Sequence, residues 1–111
     1  MTDCIFCKMV KREIKPQIVF ENDAVLAFED INAQAPVHVL VIPKRHVETL
    51  DALDDPDLAG DLLMSARTVA KIKGLTNGYR VVINCKAQAG QAVYHVHLHV
   101  LGGRQLAWPP G

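Results

Sequence analysis

The chain is expected to fold as one α+β domain, and three features of its 111 residues point there. A long apolar stripe at helical spacing runs through LAGDLLMSARTVAKIKG (58–74). Short runs of strand length, rich in Val and Ile and bounded by turn residues, lie on both sides of that stripe. No repeat, low-complexity tract or linker-like stretch divides them, and a chain of this length buries a single core. Strands flanking one long helix make a mostly antiparallel sheet of about five strands, with the helix over one face and a short helix at the N-terminus.

Each element has its own signal. CIFCKMVKRE (4–13) sets Ile5, Phe6 and Met9 at helical spacing, which predicts a short helix ending before Lys15-Pro16. QIVFEN (17–22) and AVLAFED (24–30) read as strands joined by a hairpin turn at Asn22-Asp23. The loop INAQAP (31–36) leads into VHVLVIP (37–43), where Val37, Val39 and Val41 alternate with His38, Leu40 and Ile42 until Pro43 stops the strand. Asp54-Asp55-Pro56-Asp57 marks a helix start, because carboxylates suit the positive end of the helix and an early proline sacrifices no hydrogen bond. Leu58, Leu62, Leu63, Ala66, Val69, Ala70 and Ile72 carry the apolar stripe, and Gly74 closes it. YRVVINC (79–85) is a strand, KAQAGQ (86–91) a glycine-containing loop and AVYHVHLHVLG (92–102) the last strand.

Composition narrows the function classes. Half the residues are hydrophobic and the formal net charge is zero, so disorder is not expected and nothing favours a nucleic-acid or membrane partner. Runs such as VHVLVI (37–42) are far too short to span a bilayer. MTDCIFCKMVKRE (1–13) carries charges where a secretory signal needs its apolar centre. Three cysteines, Cys4, Cys7 and Cys85, are an odd number that argues against a disulfide framework. The cytoplasm is therefore the expected compartment.

The chemistry concentrates in YHVHLHVLGG (94–103). His95, His97 and His99 are three of the chain's five histidines. Alternation along a strand puts them on one face at intervals of roughly 6.6–6.8 Å, with Tyr94, Val96, Leu98 and Val100 facing the other way beneath the long helix. Three unpartnered imidazoles in a core would be costly, so that face is expected to meet solvent, a ligand or a metal. Beyond merely polar residues on a wet sheet face, two arrangements use such a row. A zinc hydrolase takes two ligands from His-x-His; a phosphate site has one imidazole attack phosphorus while its neighbours bind the oxygens.

The phosphate site is favoured by resemblance. His95-Val96-His97-Leu98-His99-Val100-Leu101 matches the histidine triad pattern, in which histidines alternate with apolar residues. Phe28-Glu29-Asp30-Ile31, Gln34-Ala35-Pro36-Val37-His38, Val41-Ile42-Pro43-Lys44 and the ending Gly102-Gly103-Arg104-Gln105-Leu106-Ala107-Trp108-Pro109-Pro110-Gly111 resemble the histidine triad nucleotide-binding (HINT) branch of the histidine triad (HIT) superfamily. The similarity spans nearly the whole chain, as a single HIT domain over residues 1–111.

What the resemblance implies is a homodimeric hydrolase that binds purine mononucleotides and cleaves the P–N bond of nucleoside 5′-phosphoramidates through a nucleotidyl-histidine intermediate. His97 would be the nucleophile, a role needing a neutral imidazole with one free lone pair and a partner on the other nitrogen. An ordinary imidazole pKa of about 6.5 already leaves it mostly neutral at pH 7. His99 would bind and neutralise phosphate oxygen, and His38 would help the relay that protonates the leaving amine. Asn84 would donate its amide to the phosphate or leaving group, and Gly90-Gln91-Ala92 would cradle the phosphate with backbone N–H groups. Asp30 would accept hydrogen bonds from both ribose hydroxyls. Ile5, Phe6, Met9, Phe28, Ile31 and Leu40 would line the base pocket, although Phe28, Leu40 and Met9 are equally good core residues. The family pairs two five-stranded sheets into one of ten strands, and Trp108 would reach the partner's leaving-group pocket. One departure stands out. The position of Ala92 commonly carries a serine whose hydroxyl passes a proton toward the leaving group, and Ala92 offers only its N–H.

Cys4-x-x-Cys7 raises a second site. Two thiolates at that spacing grip one metal, and without a second such pair histidines must complete a tetrahedral set; His46, in PKRH (43–46), and His95 are the candidates. Some members of the wider superfamily carry the same four positions and bind structural zinc. Closed four-coordinate ligation leaves no water to activate, so the chemistry at His97 would require no catalytic metal. Two alternatives stay beside the phosphoramidase: a dinucleoside polyphosphate hydrolase, against which the Trp108-Pro109-Pro110-Gly111 ending argues, and a non-catalytic nucleotide-binding interaction protein, which Ala92 keeps open.

Overall fold

A computed structural model describes residues 3–111. Helix α1 spans Ile5–Val10, capped by Cys4, whose Sγ accepts the Cys7 N–H at 3.3 Å. It stops well short of Lys15-Pro16. Arg12 adopts φ 64°, and the N–H groups of Glu13 and Ile14 fold back on the Lys8 carbonyl, which ends the helical ladder.

Strands β1 (Ile18–Glu21) and β2 (Val25–Glu29) form the expected hairpin. The turn is built by Asn22, whose Oδ1 accepts the N–H groups of Ala24 (2.9 Å) and Val25 (2.8 Å). Strand β3 (Val37–Pro43) has the boundaries read from the sequence. Helix α2 (Pro56–Ile72) begins at the Asp55 cap, which accepts from Asp57 and Leu58, and stops before Gly74 at φ 69°. Strands β4 (Tyr79–Ile83) and β5 (Leu98–Gly102) complete an all-antiparallel sheet in the order β1-β2-β3-β5-β4.

The alternation along the central strands builds two different faces. Val25, Ala27, Val39, Val41, Leu98 and Val100 pack with Leu58, Leu62, Ala66, Val69 and Ala70 of α2. Each large apolar side chain buried there contributes about 1.5–3 kcal/mol. Leu26, Phe28, Leu40 and Ile42 point to the opposite face and pack with Phe6 of α1. His38 and His99 have the parity of Leu40, so the histidines lie on the face that α2 leaves free.

The last strand is shorter than the expected 92–102. Val41 and Ile83 both pair with Leu98, so the next partners for Val96 would be Pro43 and Cys85. Pro43 has no N–H for the ladder, and β4 has already ended. Val96 instead donates its N–H to the Val47 carbonyl. Val96 still packs in the core beneath α2, but Tyr94 does not: it is 44% exposed because the alternation that would bury it has lapsed. At the far end Gly103 takes φ 92°, where a Cβ would fall 2.9 Å from the Pro36 side chain. Only glycine turns the chain there.

Candidate active site

The three histidines of the free face are ordered by their partners. The Gln34 N–H donates to His38 Nδ1 at 3.0 Å, so His38 carries its proton on Nε2. That Nε2–H faces His99 Nδ1 at 2.8 Å, with Asp30 Oδ2 at 3.3 Å beside it. His99 Nδ1 is thereby an acceptor, and its own proton sits on Nε2, a buried nitrogen with no partner among the described residues. His97 donates Nδ1–H to the His95 carbonyl at 2.8 Å, which leaves the Nε2 lone pair free. The ring of Phe6 stands edge-on to His97, with centroids 5.2 Å apart and planes at 85°. The rings of His97 and His99 lie 5.0 Å apart. One imidazole with a free lone pair beside one with a free N–H can serve as a nucleophile next to an anion donor.

Burial keeps this group neutral. It is the leading cause that pushes His99 down to about 4, followed by the charges His97 and His38 would carry, with Asp30 opposing. Burial lowers His38 and His97 as well; Asp30 opposes it at His38, and the His95 carbonyl and Asp30 oppose it at His97.

Asp30, His38 and His99 also form a trio at metal-binding spacing. The tautomers argue against that use. His38 Nδ1 faces an N–H donor, so Nε2, the atom turned to the other two ligands, holds a proton rather than a lone pair.

The expected phosphate loop is arranged differently from the sequence reading. Gly90 N–H bonds the Ala87 carbonyl and Gln91 N–H the Lys86 carbonyl, so both turn inward. Of the cradle Gly90-Gln91-Ala92, only the Ala92 N–H is uncommitted among the described residues. The Gln91 side chain braces the loop: Nε2 donates to the carbonyls of Glu48 (2.7 Å) and Val93 (3.1 Å), and Oε1 accepts the Lys86 N–H (2.8 Å). Asn84 lies just past β4, half-buried.

Among the residues expected around the base, Phe6, Phe28 and Leu40 are buried and Met9 packs half-buried against them. Ile5 is partly exposed and Ile31, beside Asp30, is 99% exposed. Trp108 is 79% exposed over Arg80 of β4, with the guanidinium 5.8 Å from the ring and one of its N–H groups on the Ala107 carbonyl.

The second cluster has the opposite tautomer logic. His95, fully buried, donates Nε2–H to the Pro43 carbonyl at 2.7 Å, which turns a lone pair on Nδ1 toward the cysteines. Cys4 Sγ lies 3.4 Å, Cys7 Sγ 3.5 Å and His46 Nδ1 3.2 Å from that atom, and Cys7 Sγ is 3.2 Å from His46 Nδ1. A tetrahedral ion with bonds of about 2.3 Å to sulfur and 2.0 Å to nitrogen separates its ligand atoms by roughly 3.3–3.8 Å. The four side chains fit zinc. Burial, then the neighbouring Cys4, pushes the Cys7 thiol above its ordinary value, a direction that a divalent cation reverses.

Several partners escape a reading of side-chain types. The Gln34 N–H and the carbonyls of Pro43 and His95 fix three imidazole tautomers, yet any residue supplies a backbone group. Gln91 was visible as part of the loop, but its bracing role depends on Glu48, distant in sequence. Cys85 is a half-buried free thiol.

Comparison with known proteins agrees with this architecture. The family model described as HIT domain matches residues 11–106. The chain is 49% identical over 112 residues to adenylylsulfatase HINT1 of Arabidopsis thaliana, covering 96% of this chain and 76% of that protein. It is 48% identical over 120 residues to a 14 kDa zinc-binding protein of Zea mays, covering 96% and 87%. The crystal structure of a HIT family hydrolase from Legionella pneumophila Philadelphia 1 superposes with a TM-score of 0.95 at 47% identity, covering 98% of this chain and all of that one.

Proposed function

The chain belongs to the histidine triad (HIT) family, and from that premise we propose that it is a purine-nucleotide-binding hydrolase acting on nucleoside 5′-phosphoramidates. The observation that carries the reading is the pair of free ring nitrogens: the lone pair of His97 Nε2 beside the unpartnered Nε2–H of His99. His97 Nε2 bonds to phosphorus, the P–N bond breaks, and its electron pair leaves with the nitrogen, which takes a proton from solvent and departs as the amine. The positive charge that forms on His97 is shared with the His95 carbonyl through Nδ1–H. His99 Nε2–H and the Ala92 N–H hold the phosphate oxygens, and His38 keeps His99 in the donating tautomer. Water then releases the nucleotide from His97.

Asp30 receives the ribose hydroxyls, and the base rests on the apolar layer of Phe6, Phe28 and Leu40. Cys4, Cys7, His46 and His95 hold one structural zinc, which when bound ties α1 to the loop after β3 and to the segment bearing the nucleophile. Two copies pair into a ten-stranded sheet. The free edge of β4, with exposed Tyr79 and Val81, and the exposed Leu63 and Met64 on α2 support that dimer. Trp108 then reaches the partner's site, and the protein works in the cytoplasm.

Ala92 favours a second substrate for the same attack. With no hydroxyl to hand on a proton, this site suits a leaving group that departs as an anion. The name of the Arabidopsis relative, adenylylsulfatase, describes such a reaction. The test compares adenosine 5′-phosphoramidate with adenylyl sulfate, with and without a chelator. His97→Ala is expected to keep AMP binding and lose turnover of both. Turnover retained by that variant would remove the covalent mechanism, and AMP binding without turnover in the wild type would leave a binding protein.

A further inference from the structure

The Asp30 carboxylate touches the histidine relay as well as the open face. Its Oδ2 lies 3.3 Å from His38 Nε2, and the same nitrogen is 2.8 Å from His99 Nδ1. The Gln34 N–H occupies the lone pair of His38 Nδ1, so one proton on Nε2 faces two acceptors. The carboxylate does not swing freely. Its Oδ1 accepts the Asn32 N–H at 2.9 Å, and the Asp30 N–H donates to the His38 carbonyl at 3.0 Å. The Asp30 side chain retains 18% of its exposure against 3% for His38, so an arriving ligand meets the carboxylate rather than His38.

We infer that Asp30 is a positioning residue that couples recognition of a ribose diol to the histidine relay. Without a sugar, Asp30 Oδ2 and His99 Nδ1 share the His38 Nε2–H. When two hydroxyls bind the carboxylate, that hydrogen bond passes wholly to His99. The inference rests on the nucleotide reading above and names the chemical feature, a vicinal diol, that readies the site. A charged carboxylate is a strong competitor for an N–H, and a diol brings two O–H donors to the same oxygens. No atom is transferred; one hydrogen bond changes its acceptor. The gain is at His99, whose Nε2–H is held toward the phosphate only while Nδ1 is engaged.

The diol then acts on the chemical step and not only on affinity. 2′,3′-Dideoxyadenosine 5′-phosphoramidate is expected to show a kcat at least about tenfold below that of the ribose substrate. Asp30→Ala removes the competing acceptor, so it restores kcat on the dideoxy substrate while raising KM for the ribose substrate. Asp30→Asn, whose Oδ1 keeps the Asn32 contact, serves beside it if loss of that contact unsettles the turn.

The direct test is the nitrogen–nitrogen coupling across the His38–His99 hydrogen bond, measured by NMR on the full-length chain with labelled histidine. The coupling is expected to rise when AMP is added, to stay unchanged with 2′,3′-dideoxy-AMP, and to have the AMP-bound size already in ligand-free Asp30→Ala. Equal coupling in ligand-free wild type and Asp30→Ala, or a dideoxy penalty confined to KM, would overturn the inference while leaving the nucleotide reading intact. A wild type that neither responds to AMP nor turns over any substrate would instead remove the nucleotide reading, and the inference with it.

Discussion

His95 Nε2–H donates to the Pro43 carbonyl, and the His95 carbonyl in turn accepts Nδ1–H from His97. One residue thus links the cysteine cluster to His97: its side chain faces Cys4 and Cys7, and its backbone sets the tautomer of His97.

Removing the cysteine ligands is therefore expected to act on stability first. The double variant Cys4→Ser, Cys7→Ser is expected to hold less zinc than wild type by elemental analysis and to melt at least several degrees lower. Turnover falls less steeply, because Pro43 and the core beside Val96 still hold the His95 segment. Equal zinc content in variant and wild type would refute the ligand set.

His38 has no contact with phosphorus in this account; it holds His99. His38→Ala is expected to lower kcat by about 10–100-fold while AMP affinity, measured by calorimetry, changes less than about threefold. A loss confined to affinity would place His38 in ligand binding instead.

The depressed pKa of His99 predicts a stability profile. Its folded value of about 4 lies below the unfolded value near 6.5. Between those limits the unfolded chain binds a proton that the folded chain refuses, so stability rises with pH from about 4 to 6.5 and is level above. Urea unfolding at pH 7 and pH 4.5 is expected to show His99→Asn losing less stability than wild type across that interval. Parallel losses would show that His99 titrates normally in the fold.

Gln91 makes three hydrogen bonds, two to Lys86 and Val93 of its own loop and one to the Glu48 carbonyl outside it, and both of its side-chain N–H donors are taken. Gln91→Ala is expected to cost about 1–3 kcal/mol and to speed hydrogen exchange across residues 86–93. KM rises, since the Ala92 N–H loses its fixed direction. Unchanged exchange in that segment would mean that the loop is held by other contacts.

The fold was largely legible because its pattern is redundant. Val39, Val41, Leu98 and Val100 announce one buried face, and Leu62, Ala66 and Val69 announce the helix that covers it. The deviations arise where a partner strand decides. Pro43 withholds an N–H from Val96, which no pattern within 92–102 reveals, and Arg12 ends α1 through a backbone conformation rare for its type. The site was legible as a set of side chains, since the motifs bring His38, His97 and His99 to one face and Cys4, Cys7, His46 and His95 to one cluster. Protonation was not legible. It is written in the Gln34 N–H and two carbonyls, which look alike in every residue. The inward turn of the Gly90 and Gln91 N–H groups belongs to the same class.

Attack of His97 on phosphorus leaves a protein-bound nucleotide that can be trapped. Wild-type protein is mixed with adenosine 5′-phosphoramidate, quenched in alkali within one turnover, digested and mapped by mass spectrometry. AMP is expected on His97 alone, with no adduct in His97→Ala. AMP found on another residue, or product formed in a burst with no protein-bound nucleotide, would contradict it.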